Sequence, residues 1–186
     1  FHLEIAESGK PRWGDKTPLY YACWQELMGL FPGSKLIHII RDGRDVSRSL
    51  EEVGWHGPTG YHRARYWQQR VEMAQAAARE LGPERNLIIR YEDLVLETRA
   101  TLAAVCDFLG EKYEPNMLDF FEDATAHISD IDGNVHSKLQ RAPRPEDVAR
   151  WRSEMPLVHQ IEFEAIAGNS LRAMSYPCLF SDVSSR

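Results

Sequence analysis

The stretch "LIHIIRDGRDVSRSL", residues 36–50, decides how the chain is read. Its first five residues are short, rich in isoleucine and bounded by turn residues, which predicts a buried parallel strand. The apolar run stops at Arg41. An Asp-Gly turn follows, and "GRDVSRSLEEV" then predicts a helix beginning near Arg44. In an open α/β sheet, ligands sit beyond the carboxyl ends of the strands. Arg41 stands at such an end, and the helix start should aim free backbone N–H groups at the same place. Ser49 follows Arg41 by eight residues within that helix. An arginine can hold a phosphate bidentately and a serine hydroxyl can add a donor. The alternative is a solvated surface on which Asp42 and Asp45 pair with Arg44 and Arg48.

Working outward, "NLIIRYEDLV" predicts a second buried strand ending near Tyr91. "LYYACWQELMGLF" predicts a helix after Pro18, with Thr17 as N-cap and Leu19, Cys23, Leu27 and Leu30 on one face. A long helix is expected over 62–81, carrying Tyr66, Arg70, Met73 and Ala77 at helical spacing. "TRATLAAVCDFLG" predicts a helix with Leu102, Val105, Cys106 and Leu109 inward and Gly110 as its stop. "EPNMLDFFED" predicts a short helix. Residues 124–145 are polar and aperiodic, hence a long loop, and residues 146–176 predict two helices. Trp13, Trp24, Trp67 and Trp151 are expected to pack and His38 to be structural. Helices alternating with buried strands give an α/β domain with a parallel sheet flanked by helices.

Composition narrows the function. The 186 residues are 43% hydrophobic and 27% charged, ordinary for one globular domain, read here as a single unit over 1–186. A net charge of −6 argues against a nonspecific nucleic-acid partner. Cys23, Cys106 and Cys178 are odd in number and far apart, with neither a zinc spacing nor a disulfide framework, which fits a reducing, cytoplasmic setting. The histidines form no metal pattern. No apolar run has transmembrane length. The chain lacks an initiator Met and opens on "FHLEIAES", which reads as the end of a helix and predicts a further segment upstream.

Strand, arginine, Asp-Gly, then a serine-bearing helix resembles the 3′-phosphate motif of sulfotransferases that use 3′-phosphoadenosine-5′-phosphosulfate (PAPS). "FHLEIAESGKPRWGDKTP", "LFPGSKLIHIIRDGRDVSRSL", "IIRYEDLV" with "TLAAVCDFLGEKYEPNML", and "VHSKLQRAPRPEDVARW" resemble tyrosylprotein sulfotransferases and their bacterial relatives along nearly the whole chain. The resemblance implies a P-loop-NTPase-like sulfotransferase fold, PAPS as sulfuryl donor, adenosine 3′,5′-bisphosphate (PAP) as product, and no metal. It assigns the 3′-phosphate to Arg41 and Ser49 and the cofactor edge to Tyr91. It assigns Lys16 to the leaving phosphate, where a cation stabilises developing charge. Ser137, Lys138 and Arg141 fall in the segment resembling a cofactor-covering loop, with His136 beside them. For Lys16 the plainer alternative is a loop lysine paired with Asp15; for Tyr91, a core tyrosine; for the loop residues, a polar surface.

One departure stands out. The family's 5′-phosphosulfate loop, a Gly-Thr or Gly-Ser-Thr sequence joining strand to helix, has no match here. "LFPGSK" precedes a strand instead. The expectation is therefore the C-terminal portion of such a domain, its first βα unit missing, catalytically silent alone and with an apolar edge left open on "LIHII" or "NLIIR". Two rivals remain: a P-loop kinase or NTPase, for which neither GxxxxGK[ST] nor a magnesium carboxylate is visible, and a noncatalytic nucleotide-binding module. The acceptor, small molecule or peptide, is not legible. Nor is the oligomeric state, with which a homodimer is compatible.

Overall fold

The structure, a computed structural model, describes residues 12–54, 57, 59–119 and 144–180. The helix end expected at "FHLEIAES" and most of the loop expected over 124–145 lie outside these residues. The chain divides into two compact units, Phe1–Gly33 and Ser34–Arg186.

In the first unit the single helix expected after Pro18 is two pieces. A 3-10 turn spans Pro18–Ala22, and helix α1 spans Trp24–Leu30 after a break at Cys23. The Tyr20 hydroxyl donates to Asp15, which ties the first turn back onto the preceding loop. Trp24 is the only buried side chain of the two pieces, while Leu19 and Leu30 are 68% and 72% exposed. The expected apolar face is thus not buried, since so short a unit cannot enclose a core. Trp13, expected to pack, is exposed but meets Phe31 edge-on at 5.2 Å.

The second unit holds a two-stranded parallel sheet among the described residues. Strand β1, Leu36–Ile40, pairs with β2, Asn86–Arg90, in a register that sets Leu36 opposite Asn86 and Ile40 opposite Arg90. Helix α2 (Gly43–Glu52) follows β1 directly, and α3 (Gly60–Leu81) returns the chain to β2. Thr59 caps α3 by accepting from the His62 N–H. The second strand ends at Arg90, and Tyr91 opens a short helix, α4 (Tyr91–Leu96), that the sequence reading did not anticipate. Glu92 and Asp93 lie in its first turn, where the helix dipole favours acidic groups.

Helix α5 (Thr98–Leu109) ends on Gly110 in the left-handed conformation, as its stop signal predicts. Cys106 is its one buried residue; Leu102, Val105 and Leu109 are half-buried. A 3-10 turn covers Pro115–Asp119 in place of the short α-helix expected there. The C-terminal pair is a four-residue α6 (Trp151–Glu154) and α7 (Leu157–Ala173).

The core lies where α3 crosses α7 beside the sheet: Ile40, Ala64, Trp67, Val71, Ala74, Trp151, Met155, Phe163, Ala167, Leu171 and Tyr176. Of the residues expected on one face of α3, Ala77 is fully buried and Tyr66 and Arg70 are half-buried, but the core stripe runs through Ala64, Trp67, Val71 and Ala74 instead. Met73 is exposed, and Ala64, Ala74 and Ala167 let the two helices approach while Trp67 meets Phe163 at 5.7 Å. Ile39, the fourth residue of β1, is 59% exposed, so its side of the sheet is uncovered among the described residues.

Candidate anion-binding site

Arg41 leaves the carboxyl end of β1 with its backbone fixed on three sides. The Ile40 carbonyl is reached by the Tyr176 hydroxyl at 3.1 Å. The Arg41 carbonyl accepts from the Trp67 indole N–H at 2.9 Å, and the Asp42 N–H donates to Glu92 Oε1 at 2.9 Å. The side chain is less constrained. One terminal nitrogen donates to the Asp147 carbonyl at 3.0 Å and lies 3.6 Å from Asp45 Oδ2. The guanidinium sits 4.9 Å from the Tyr91 ring centroid. Its Nε is buried and has no hydrogen-bond partner among the described residues. A buried donor left unmade is costly unless something completes it.

Asp42 caps α2 by accepting from the Arg44 N–H at 2.9 Å, so this donor is spent within the protein. The expected array of free N–H groups at the helix start is reduced by that bond. Gly43 follows because no side chain fits. A Cβ there would stand 2.4 Å from both Phe163 Cζ and Trp67 Cδ2. The Asp-Gly pair is thus a helix start pressed under two aromatic rings rather than a free turn.

The solvated-surface alternative for the charges of α2 is overturned. Arg44 is fully buried, held by Asp42 (Nη2–Oδ2 2.7 Å) and Glu164 (Nη1–Oε1 2.7 Å), with its guanidinium 3.5 Å from the Trp151 ring centroid. Asp45 does not pair with Arg48. It accepts from the Trp151 N–H at 2.8 Å and faces Arg41. Burial raises the Asp45 carboxyl, against the opposing pull of Arg41 and the Trp151 N–H. Arg48 binds Glu52 and Glu154. Arg63, also buried, binds Glu51 and the Ser47 hydroxyl. These charges serve the fold.

The structure therefore brings Arg41 and Tyr91 together at the strand ends. Ser49 is half-buried in the second turn of α2. Lys16 belongs to the first unit, exposed, in the loop where Asp15 accepts from the hydroxyls of Thr17 and Tyr20. Ser137, Lys138, Arg141 and His136 lie outside the described residues. His38, as expected, is structural: it is half-buried in β1, 3.0 Å from Asn86, and burial lowers it. The residues that sequence reasoning missed are Glu92 and Tyr176. The signal for Glu92 was available, a carboxylate one helical residue past a buried strand. Tyr176 offered none, being 84 residues away.

The model of the Sulfotransferase family matches residues 2–115. The chain belongs to the sulfotransferase family. Among its relatives, the protein-tyrosine sulfotransferase of Drosophila melanogaster is 26% identical over 171 residues, covering 84% of this chain and 34% of that protein. Protein-tyrosine sulfotransferase 2 of Gallus gallus is 28% identical, covering 84% and 45%. This sulfotransferase chain thus spans less than half the length of these relatives. The sulfotransferase domain from the Synechococcus PCC 7002 olefin synthase superposes with a TM-score of 0.74 at 24% identity, over 95% of this chain and 63% of that one. The sulfotransferase domain from the curacin biosynthetic pathway gives 0.68 at 23%, over 95% and 67%. The fold is accordingly the sulfotransferase fold, helices flanking a parallel sheet. Among the described residues, no helix is long and apolar enough to cross a membrane.

Proposed function

We propose that this chain is part of a single sulfotransferase domain that moves a sulfuryl group from PAPS to a hydroxyl or amine acceptor and releases PAP, in a cytoplasmic setting. One observation carries the cofactor reading. Arg41 stands at a parallel strand's carboxyl end, stacked with Tyr91, its buried Nε lacking a hydrogen-bond partner among the described residues. That donor set fits a phosphate, which accepts several charge-assisted bonds at once. One carboxylate oxygen competes: Asp45 Oδ2, buried and without a hydrogen-bond partner among the described residues, lies 3.6 Å from the same guanidinium, while the Trp151 N–H is given to Oδ1.

Arg41 and Ser49 would hold the 3′-phosphate and Tyr91 would line the nucleotide. Ser137, Lys138 and Arg141 would close over it. Lys16, assigned on the match of "GDKTP" alone, would hold positive charge near the leaving phosphate. Bound PAPS supplies the activated sulfuryl group. Lys16 should then matter more to turnover than to affinity, because its partner charge develops in the transition state. Calorimetry of PAP with the full-length protein tests the central assignment. Arg41→Ala should weaken binding by about 1.5–3 kcal/mol with the fold intact. Equal affinity in the two proteins would sink it, and preferential binding of ATP would favour the nucleoside-triphosphate reading instead.

A further inference from the structure

The last described segment, residues 174–180, is bound to the turn of Arg41 through two buried carboxylates, and each carboxylate is shared. Glu92 accepts from the Tyr176 hydroxyl on Oε2 at 2.6 Å and from the Asp42 N–H on Oε1 at 2.9 Å. Glu164 accepts from the Leu179 and Phe180 N–H groups on Oε2 at 2.9 and 2.8 Å, and from Arg44 on Oε1 at 2.7 Å. Glu92, Glu164, Asp42, Arg44 and Tyr176 are all buried. The Tyr176 hydroxyl also reaches the Ile40 carbonyl. The one phenolic proton goes to Glu92, the nearer acceptor, and the Asp42 N–H is held through that carboxylate, while the Tyr176 oxygen lies against the Ile40 carbonyl on the other side of Arg41.

We propose that residues 174–180 act as a strap that positions the anion site, with Tyr176 and Glu92 as positioning residues for Arg41. The proposal rests on the reading of Arg41 as a phosphate ligand. Its physical basis is preorganisation. A ligand that meets a pre-set arginine does not have to order the loop that carries it, and affinity rises by the ordering cost avoided. Buried hydrogen-bond networks serve this purpose when every member is satisfied, since a half-satisfied one is costly. Tyr176 has its one proton given to Glu92, and burial and then that bond push its phenol upward, so it stays a donor. The ring has a second role in packing, edge-on to Trp67 at 6.5 Å and beneath Arg90 at 4.5 Å. The test must separate that role from the hydroxyl's.

Tyr176→Phe keeps the ring and removes the hydroxyl. Val71→Ala, a truncation in the same core cluster that removes no hydrogen bond, supplies a destabilised control. The full-length protein and both variants are titrated with PAP, and amide exchange is followed at Asp42. The expected result for Tyr176→Phe is binding about tenfold weaker, the factor that 1.4 kcal/mol gives, and faster exchange at Asp42. Val71→Ala should leave both unchanged. If Tyr176→Phe does not fold, Leu179→Pro removes the N–H given to Glu164 at the strap's other end and should also weaken binding. Binding by the unsubstituted protein, together with undiminished binding by the folded variant, overturns the strap and leaves the reading of Arg41 standing. Equal losses in the Phe and Val71→Ala variants overturn it too, because stability alone would then explain them. Absence of PAP binding by the unsubstituted protein overturns the reading of Arg41 and the strap with it.

Discussion

The start of α2 and the first unit are both polar segments leading into helix, and they meet opposite fates. From Asp42 to Arg48 all residues but Val46 are buried, four of them charged. From Arg12 to Gly33 only Trp24 is buried, and two leucines stand open to solvent. Hydropathy would assign the environments the other way. The difference is one of partners. Arg44 is met by Glu164 and Trp151, and Gly43 by Phe163 and Trp67, all from distant sequence. Among the described residues of the first unit, Leu19 and Leu30 enter no such core. Burial therefore follows the arrival of matching groups, and a charge that is fully paired can be buried more deeply than an apolar side chain.

The largest expected effect tests the buried charge. Arg44→Met leaves Asp42 and Glu164 without their shared cation and should cost about 3–5 kcal/mol, the range for breaking a buried pair from one side. Denaturant unfolding reads it. A cost below about 1 kcal/mol would mean that the cluster is a solvated surface after all. Next is the glycine beneath the rings. Gly43→Ala forces Phe163 and Trp67 to move and should destabilise by about 1–3 kcal/mol. Full stability would show that the close approach is not real.

A smaller effect is pH-dependent. Burial holds His38 below its ordinary 6.5, against the bond to Asn86, which raises it. The unfolded chain then takes up a proton at higher pH than the folded one. Stability contributed by neutral His38 is present above pH 6.5 and lost as pH falls through the lower folded value. His38→Gln, which can still bond Asn86, should flatten that part of the stability–pH profile. An unchanged profile would contradict the burial of His38. The smallest effect belongs to the first unit. Leu30→Ser, at a position 72% exposed, should change stability by no more than about 0.5 kcal/mol. A loss like that of Gly43→Ala would show that Leu30 is covered in solution and would break the contrast between the two regions.

The elements near the site were legible because their signals are local. Leu36–Ile40 is an isoleucine run closed by Arg41, Asp42 is a side-chain cap, and Gly110 stops its helix in the left-handed conformation. Arg41 and Tyr91 at adjacent strand ends followed from the same signals, because parallel pairing sets Ile40 beside Arg90. The helix face of α3 was less legible. Met73 and Trp67 both sit at plausible spacing, and which is inward depends on where α7 lies.

By itself, then, the sequence determined the strands, most helices, the family and the arginine at the strand end, since each is encoded within a few residues of where it acts. Only the tertiary structure decided that Arg44 is a fully buried structural cation, that Gly43 is required by two rings, and that Glu92 and Tyr176 hold the backbone around Arg41. The reason is physical. Backbone propensity and capping are settled by neighbours along the chain, whereas the state of a buried charge depends on a partner that can stand 120 residues away, as Glu164 does from Arg44.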